Sequence, residues 1–185
     1  MKVAIGLGAS MGDRRRTLEI ALCQLDATPG LRLVRASRWV RTPPMKGGTA
    51  TGWFLNGVAL FECERDVYAV LDRCRALEDA AGRRRARWWG DRPLDLDLIV
   101  AEGVQSADPR LVLPHPGVAD RPFVLEPLRE VWPEATRALP LARGTGEAPP
   151  LPAAIGVPPR ALRRSEAGLG ADAPSRLPRA EAGLG

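Results

Sequence analysis

Residues 82–97 read GRRRARWWGDRPLDLD. Arginines lead through two tryptophans into an Asp-x-Asp pair, which opens an apolar strand. Because strand side chains alternate between faces, Asp95 and Asp97 point to one face and the neighbouring leucines to the other. Two carboxylates about 7 Å apart favour a cation between them, and the preceding arginines suit phosphate oxygens. The stretch predicts a site for nucleotide-dependent phosphoryl transfer; a solvated basic loop before an ordinary strand is the alternative.

The hydrophobic pattern on either side of this stretch predicts the remaining elements. The predicted strands are 2–7, 31–40, 53–63 and 94–101, with short strands near Val104 and at 111–113. The predicted helices are 17–27, a second between an Asp66 N-cap and Gly82, and a short one at 123–130. The order β-α-β-β-α-β indicates an α+β fold, the ferredoxin-like split βαβ sandwich, with helices on one face of an antiparallel sheet.

Charge and cysteine usage narrow the class of protein. A net charge of +5 and a pI of about 9.8 favour a polyanionic partner, either nucleotide phosphates or nucleic acid. The three cysteines lie far apart without zinc-ligand spacing, so we expect small buried thiols in a reducing cytoplasm. No segment approaches the ~20 apolar residues of a membrane span. The apolar run after Met1 predicts a first strand rather than a signal peptide.

Composition changes near Gly144. From there to the last residue the chain has no aromatic residue, cysteine, methionine or lysine, and the sequence EAGLG occurs at 166–170 and again at 181–185. Such a segment buries too little apolar area to offset its ordering entropy. We therefore predict one folded domain over 1–143 and a disordered Pro/Gly/Ala-rich tail over 144–185.

Several motifs share their order with one known family. They are GASMGD at 8–13, RTPP at 41–44, FLNGV at 54–58, RPLDLD at 92–97, PHP at 114–116, RPFVL at 121–125 and PL at 127–128. Together they resemble the hydroxymethyl-dihydropterin pyrophosphokinases of folate synthesis, over about 3–128. RPLDLD with the downstream Pro-His is the specific part of the resemblance, and the other motifs are weak alone.

The resemblance implies the ferredoxin-like fold and a reaction. Family members transfer pyrophosphate from ATP to 6-hydroxymethyl-7,8-dihydropterin and release AMP. By resemblance, Asp95 and Asp97 hold two Mg²⁺ ions, and Arg83 and Arg92 are further catalytic residues. Mg²⁺ takes few carboxylates together with phosphate oxygens and water. An ion on the substrate hydroxyl would lower its pKa, so no dedicated protein base is required.

The resemblance also implies a nucleotide site. Guanidinium groups bind phosphate bidentately and stabilise the charge that builds on the transferred group. Glycines on both sides of the arginine loop suit a lid over ATP. The alternative for Glu78 and Arg110 is a surface residue. For Trp89 it is a packing tryptophan, and for His115 a structural or surface histidine. The implied ATP ligands are Glu78, Arg83, Arg85, Trp89, Arg92, Arg110, His115 and Arg121.

The implied pterin site lies on other motifs. An asparagine amide offers a donor and an acceptor to the edge of the pterin ring, and two phenylalanines would sandwich the ring. Two core phenylalanines and a strand asparagine are the alternative. The implied pterin ligands are Thr42, Pro44, Met45, Phe54, Asn56, Asp95 and Phe123, with Thr42 and Met45 adding backbone hydrogen bonds.

The sequence departs from the family pattern at three places. Ala9 and Ser10 replace a Ser-Asn pair, which loses or shortens any contact made by that asparagine. Gly117 stands where many members carry a basic residue. The arginine loop is about one residue shorter, which affects the placement of Arg85.

We expect a cytoplasmic monomer that acts on small molecules, with neither nucleic acid nor membrane as a partner. Two rival hypotheses remain open. In one, the same fold binds nucleic acid through its arginines and tryptophans. In the other, the chain is a degenerate family member that binds ATP without turnover.

Overall fold

The computed structural model describes residues 1–44, 48–83 and 90–139. Their helices and strands follow the predicted order, with two additions. The elements are β1 (Lys2–Ala9), α1 (Arg14–Asp26), β2 (Leu31–Ala36), β3 (Val40–Thr42), β4 (Phe54–Cys63), α2 (Val67–Ala80), β5 (Asp95–Ala101), β6 (Ser106–Asp108), β7 (Leu111–Leu113), α3 (Pro122–Val131) and α4 (Pro133–Ala138).

The main sheet confirms the predicted fold class. Its strands lie in the order β2-β4-β1-β5, and β3 pairs with the start of β4. All of these pairings are antiparallel. Two helices that each connect non-adjacent strands, over an antiparallel sheet of this order, make the ferredoxin-like sandwich. A separate hairpin of β6 and β7 lies beside the outer edge of β5.

Helices cover both faces of the sheet, whereas the sequence predicted one covered face. Alternate residues of β1, such as Val3, Ile5 and Leu7, join the core beneath α1 and α2. The residues between them face a second core, in which Ala4, Leu60 and Ile99 pack against α3 and α4. The period of two along each strand therefore supplies two cores.

Side-chain caps fix where the two long helices begin. Asp13 accepts a hydrogen bond from the Arg16 N–H at the start of α1, and Asp66 accepts one from the Tyr68 N–H at the start of α2. Gly82, with φ of 85°, follows the end of α2, as expected for a glycine that ends a helix. These boundaries bring the last turn of α2 next to the beginning of β5.

Three sequence predictions need correction. The strand predicted over 31–40 is divided into β2 and β3, because Ser37 turns inward and bonds Val58 through both its backbone N–H and its hydroxyl. The helix α4 was not predicted, since it is short, and the short strand predicted near Val104 is β6, which begins two residues later at Ser106. Cys23 is exposed rather than buried, because it lies outside the buried face of α1.

Two further predictions concern membrane spans and the C-terminal tail. Among the residues that the structure describes, no helix is long and apolar enough to cross a membrane. The predicted tail over 144–185 lies outside the described residues, so its disorder and the domain boundary stay predictions.

Candidate active site

A cleft lies on the sheet face that also carries α3. Asp95 and Asp97 project from β5 into it, as the strand alternation predicted, while Leu96 and Leu98 are buried in the opposite core. Glycines of β1 pair with both aspartates: Gly8 lies opposite Asp95 and Gly6 opposite Asp97. Because these two positions of β1 carry no side chain, the side chains of Asn56 and Ile99 can lie close above the strand, beside the two carboxylates. The cleft is lined by Thr42, Phe54, Asn56, Arg92, Asp95, Asp97, His115, Arg121 and Phe123 among others.

Acidic side chains are concentrated around Asp97. Burial, the neighbouring Asp95 and then Glu78 raise the pKa of Asp97 to about 7. Two carboxylates on one strand face are a suitable donor set for a hard divalent cation, which would relieve this repulsion. The described residues contain no group of three or more His, Cys, Asp or Glu side chains that could hold a metal ion. The remaining ligands would therefore come from substrate oxygens and water, which is the coordination that Mg²⁺ favours.

Arginines already neutralise Asp95 in this structure. The Nη1 of Arg83 lies 2.6 Å from Oδ1 of Asp95, and the Nη2 of Arg92 lies 3.0 Å from its Oδ2. Both guanidinium groups are mostly enclosed, with side-chain exposures of 21% and 24%. Guanidinium groups bind phosphate oxygens through pairs of N–H donors, so these two arginines are suited to a phosphate chain that enters beside the carboxylates.

Glu78 anchors this arrangement from the last turn of α2. Its side chain is 5% exposed, and its Oε1 pairs with Arg83 and accepts the backbone N–H of Leu96 at 2.8 Å. The carboxylate therefore fixes both an arginine and the strand that carries the aspartates. Sequence reasoning proposed Glu78 only as a nucleotide contact and missed this link, which depends on the packing of α2 against β5.

Ser10 holds the backbone of Arg92. Its hydroxyl accepts the Arg92 N–H at 2.9 Å, and its own N–H donates to the Arg92 carbonyl at 3.0 Å. The Arg92 Nε is buried and has no hydrogen-bond partner among the described residues. This donor lacks an acceptor, and a phosphate oxygen that reached it would supply one. Ser10, one of the departures noted in the sequence, thus has a structural role of its own.

Residues predicted to read the pterin meet at one end of the cleft. The Asn56 side-chain amide donates to the Thr42 hydroxyl at 2.8 Å. A Cβ at Gly8 would lie 2.9 Å from the Asn56 Oδ1, so a glycine is needed for the amide to occupy this place. Phe54 and Phe123 line the same cleft from β4 and α3. Pro44 is half-buried and is not among the lining residues, and Met45 lies outside the described residues.

A second cavity lies around the outer edge of β5, between α2 and the β6–β7 hairpin. Five of the predicted ATP ligands or metal ligands line it: Glu78, Arg83, Asp97, Arg110 and His115. Its apolar wall is made by Leu71, Leu98, Leu111 and Val112. Sequence reasoning did not single out this wall, because each residue reads as ordinary core or strand. The predicted ligands Arg85 and Trp89 lie outside the described residues.

His115 lies where the two cavities meet. Its Nδ1 accepts the Gly117 N–H at 3.2 Å, which leaves Nε2 as the donor of the neutral ring. Burial and then the charge of Arg121 lower its pKa below the usual 6.5, although Asp95 acts in the opposite direction. A neutral imidazole is therefore held with one N–H free to donate, between Arg121 in the first cavity and Arg110 in the second.

Comparison with known proteins agrees with this geometry. Residues 4–133 match the family model described as 7,8-dihydro-6-hydroxymethylpterin-pyrophosphokinase. A relative from Methylorubrum extorquens, named 2-amino-4-hydroxy-6-hydroxymethyldihydropteridine pyrophosphokinase, is 45% identical over 130 residues, which cover 70% of this chain and 82% of the relative.

Two more relatives carry the same name. The one from Pseudomonas aeruginosa is 35% identical over 134 residues, covering 72% of this chain and 82% of its own. The one from Synechocystis is 35% identical over 130 residues, covering 70% of this chain and 66% of its own. The matched span runs from within β1 to the start of α4 and contains every described residue of the two cavities, and the resemblance read from the motifs is confirmed. The chain belongs to the 7,8-dihydro-6-hydroxymethylpterin pyrophosphokinase family.

Proposed function

We propose that Asp95 and Asp97 hold the metal at the junction of two substrate cavities, one for a pterin alcohol and one for ATP. As a member of its family, the chain is an ATP-dependent diphosphotransferase of folate biosynthesis. It transfers the pyrophosphoryl group of ATP to 6-hydroxymethyl-7,8-dihydropterin and gives AMP and the pterin diphosphate. One observation carries the assignment of roles: Asp97 and His115 line both cavities, so groups from the two substrates can meet there.

Two Mg²⁺ ions are the proposed metal content. The two carboxylates supply part of the ligand set, and phosphate oxygens and water supply the rest. When bound, Mg²⁺ would offset the negative charge of the phosphates and lower the pKa of the pterin hydroxyl. The buried charge at Asp97 supports the assignment, since an ionised carboxylate next to Asp95 and Glu78 is stabilised by a cation.

Arg83 and Arg92 are proposed to exchange partners when ATP binds. Each guanidinium group pairs with Asp95 in this structure; Arg92 lines the first cavity and Arg83 the second. Phosphate oxygens would take the guanidinium N–H donors and leave Asp95 to the metal. His115 and Arg121, which line the first cavity, would add further donors to the transferred group.

The pterin is proposed to enter the first cavity with its flat ring between Phe54 and Phe123. Asn56 would bind the polar edge of the ring through its amide, held in place by Thr42. Asp95 lies close enough to this end of the cleft to contact the hydroxymethyl side as well as metal. Pro44 and Met45 complete the proposed pterin set on the strength of the family motif.

The nucleotide is proposed to occupy the second cavity. Its apolar wall suits a purine base, and Arg110 and His115 lie beside it. Glu78 is retained as a nucleotide contact in addition to its link to Arg83. Arg85 and Trp89, which lie outside the described residues, complete the proposed set on the strength of the resemblance.

We also propose a cytoplasmic monomer that uses small-molecule substrates and binds no nucleic acid. The cysteines support a reducing compartment, because all three are free thiols. Against a role in nucleic-acid binding, the carboxylates of Asp95 and Asp97 at the centre of the basic site would repel a phosphate backbone in the absence of metal.

A reciprocal pair of variants tests the two substrate assignments. Asn56→Ala should raise the KM for the pterin alcohol at least ~10-fold and leave the KM for ATP within about twofold, since a site built to hydrogen-bond its substrate loses affinity when the partner is removed. Arg110→Ala should raise the KM for ATP at least ~10-fold and leave the KM for the pterin alcohol within about twofold. Asp72→Asn, an exposed change on α2, serves as the control. The assignment is wrong if both KM values move together in either variant.

A further inference from the structure

Asp91 lies where three separate segments of the chain converge. Its Oδ2 accepts the backbone N–H and the hydroxyl of Thr51, both at 3.0 Å. Its Oδ1 accepts the Gly52 N–H at 3.3 Å. Besides the segment of Asp91 itself and the segment of Thr51 and Gly52, the third segment is the turn after β1, which contains Ser10. The pKa of Asp91 is lowered mainly by the hydrogen bond from the Thr51 N–H and, to a smaller extent, by the Ser10 hydroxyl. One side chain thus joins parts of the chain that are about forty residues apart in sequence.

Gly52 shows how tightly these segments meet. A Cβ at this position would lie 3.2 Å from the Ser10 carbonyl oxygen and 3.3 Å from the Asp91 Oδ1. The next residue, Trp53, is fixed by arginines: Arg14 donates from Nε to the Trp53 carbonyl at 3.1 Å, and the guanidinium carbons of Arg14 and Arg41 lie 4.0 and 4.5 Å from the ring centre. Cation–π contacts of this kind orient an aromatic side chain.

Each of the two segments joined by Asp91 leads directly into one side of the active site. Thr51, Gly52 and Trp53 precede Phe54, the first residue of β4 and a member of the pterin side of the cleft. Asp91 itself precedes Arg92, which pairs with Asp95 on the phosphate side. A link between Asp91 and Thr51 therefore connects the two halves of the site outside the cavities.

The two segments differ in how many other anchors they have. The Arg92 segment is also held by Ser10 at both its backbone N–H and its carbonyl, and by the ion pair with Asp95. By contrast, all the hydrogen bonds found for Thr51 and Gly52 within the described ranges end on Asp91, and only the third residue of the segment, Trp53, is held separately by Arg14 and Arg41. Removal of the Asp91 carboxylate would therefore release Thr51 and Gly52 more than Arg92.

We propose that Asp91 is a positioning residue that holds the segment 51–53 in place and so sets the pterin side of the active site, without contacting a substrate. The inference rests on the proposed roles of Phe54 and Asn56. It adds a residue that is absent from both cavities to the set that determines affinity for the pterin alcohol.

The test compares steady-state kinetics of the full chain and of four variants with both substrates. Asp91→Ala should raise the KM for the pterin alcohol roughly 10-fold, as expected from the loss of hydrogen bonds to a partly solvated carboxylate, with the KM for ATP within about twofold. Asp91→Asn keeps one acceptor oxygen and should give an intermediate KM. Asp72→Asn is the matched control for an exposed aspartate, and Asn56→Ala is the reference for direct pterin contact.

A fifth variant isolates the link itself. Thr51→Val removes the hydroxyl and keeps the backbone N–H, so the KM for the pterin alcohol should rise about threefold, in line with one hydrogen bond. In the Asp91→Ala background the same change should have no further effect, which is the signature of a shared interaction in a double-mutant cycle. If Asp91→Ala does not fold, Thr51→Val and Asp91→Asn decide the question.

Three results would overturn the inference. One is an unchanged KM for the pterin alcohol in Asp91→Ala. Another is an equal rise in both KM values together with a lower melting temperature, which indicates a purely structural role. The third is full additivity of Thr51→Val and Asp91→Ala. A normal KM in Asp91→Ala beside a raised KM in Asn56→Ala rejects this inference alone, whereas normal values in both reject the pterin assignment as well.

Discussion

The guanidinium group of Arg83 lies 2.6 Å from the carboxylate of Asp95. Arg83 comes just after α2, and Asp95 is the first residue of β5, so the contact joins the end of α2 to the start of β5. The same guanidinium also pairs with the buried Glu78. Arg83 therefore neutralises two carboxylates in this structure, and we propose that it binds ATP phosphates during the reaction.

Substitution of Arg83 should affect both stability and turnover. In Arg83→Ala, Glu78 would stay buried without its guanidinium partner, and breaking a buried pair of this kind costs about 3 kcal/mol. Because Asp95 is partly exposed, water can solvate its carboxylate in place of Arg83, which lowers this cost. We therefore expect the free energy of unfolding to fall by about 1–3 kcal/mol. Turnover should fall by at least ~100-fold. Urea unfolding and single-turnover AMP formation measure the two effects.

Arg92 provides the comparison for this experiment. Its backbone is held by Ser10 independently of its side chain. Arg92→Ala should therefore lose turnover to a similar extent with a smaller loss of stability than Arg83→Ala. Equal destabilisation of the two variants would show that Glu78 does not depend on Arg83.

The ionised carboxylate of Asp97 should destabilise the metal-free protein, yet it should be essential to catalysis. Burial and Asp95 raise its pKa to about 7, so its ionised form is disfavoured in the folded, metal-free chain. Asp97→Asn removes this charge, and we expect a melting temperature at least equal to that of the parent chain in the absence of metal. Turnover with Mg²⁺ should fall by about three orders of magnitude or more. Near-normal turnover would contradict the metal assignment.

The pH dependence of stability should include a contribution from His115. Its pKa is lowered in the folded state by burial and Arg121, relative to 6.5 in an unfolded chain. The unfolded state then binds the proton more readily, so the contribution of His115 is complete above pH 6.5 and is lost as the pH falls toward the folded pKa.

Two measurements check this prediction. Because His115 is the only histidine of the chain, a single imidazole NMR resonance reports its pKa directly. The free energy of unfolding at pH 7.5 and 5.5 should differ less in His115→Gln than in the parent chain, with other groups contributing equally to both. A midpoint at or above 6.5 would show that the imidazole is not held in its neutral form.

Gly8 offers a test of the pterin side that does not touch a proposed ligand. A Cβ at this position would come within 2.9 Å of the Asn56 Oδ1. Gly8→Ala should displace the amide and raise the KM for the pterin alcohol by ~10-fold or more, with a much smaller change in the KM for ATP. If the KM for the pterin alcohol is unaffected, Asn56 does not act through the geometry seen here.

The parts of the fold that the sequence predicted are those with strong local patterns. The alternation of leucine and aspartate over 94–98 placed Asp95 and Asp97 on one face, and the structure has them there. The helix after Asp66 begins and ends where its cap and Gly82 indicate. These signals depend on neighbours in sequence, which is why one chain is enough to read them.

The missed features depend on contacts between distant residues. The division of the 31–40 segment results from Ser37 bonding to Val58, and the role of Ser10 results from bonds to Arg92. Asp91 gave no local signal at all, because its partner Thr51 lies in another loop. The second helical layer was missed for the same reason: the helix at 123–130 was predicted, but its place on the opposite face of the sheet depends on packing against distant strands, and α4 was not predicted.

The most direct test of the account is the formation of AMP from ATP by the full chain. The reaction is run with 6-hydroxymethyl-7,8-dihydropterin, and with either the pterin or Mg²⁺ left out. The account predicts AMP only when ATP, the pterin alcohol and Mg²⁺ are all present, with loss of the product after chelation by EDTA and recovery on adding Mg²⁺. Tight binding of ATP with no AMP formed under complete conditions would contradict it.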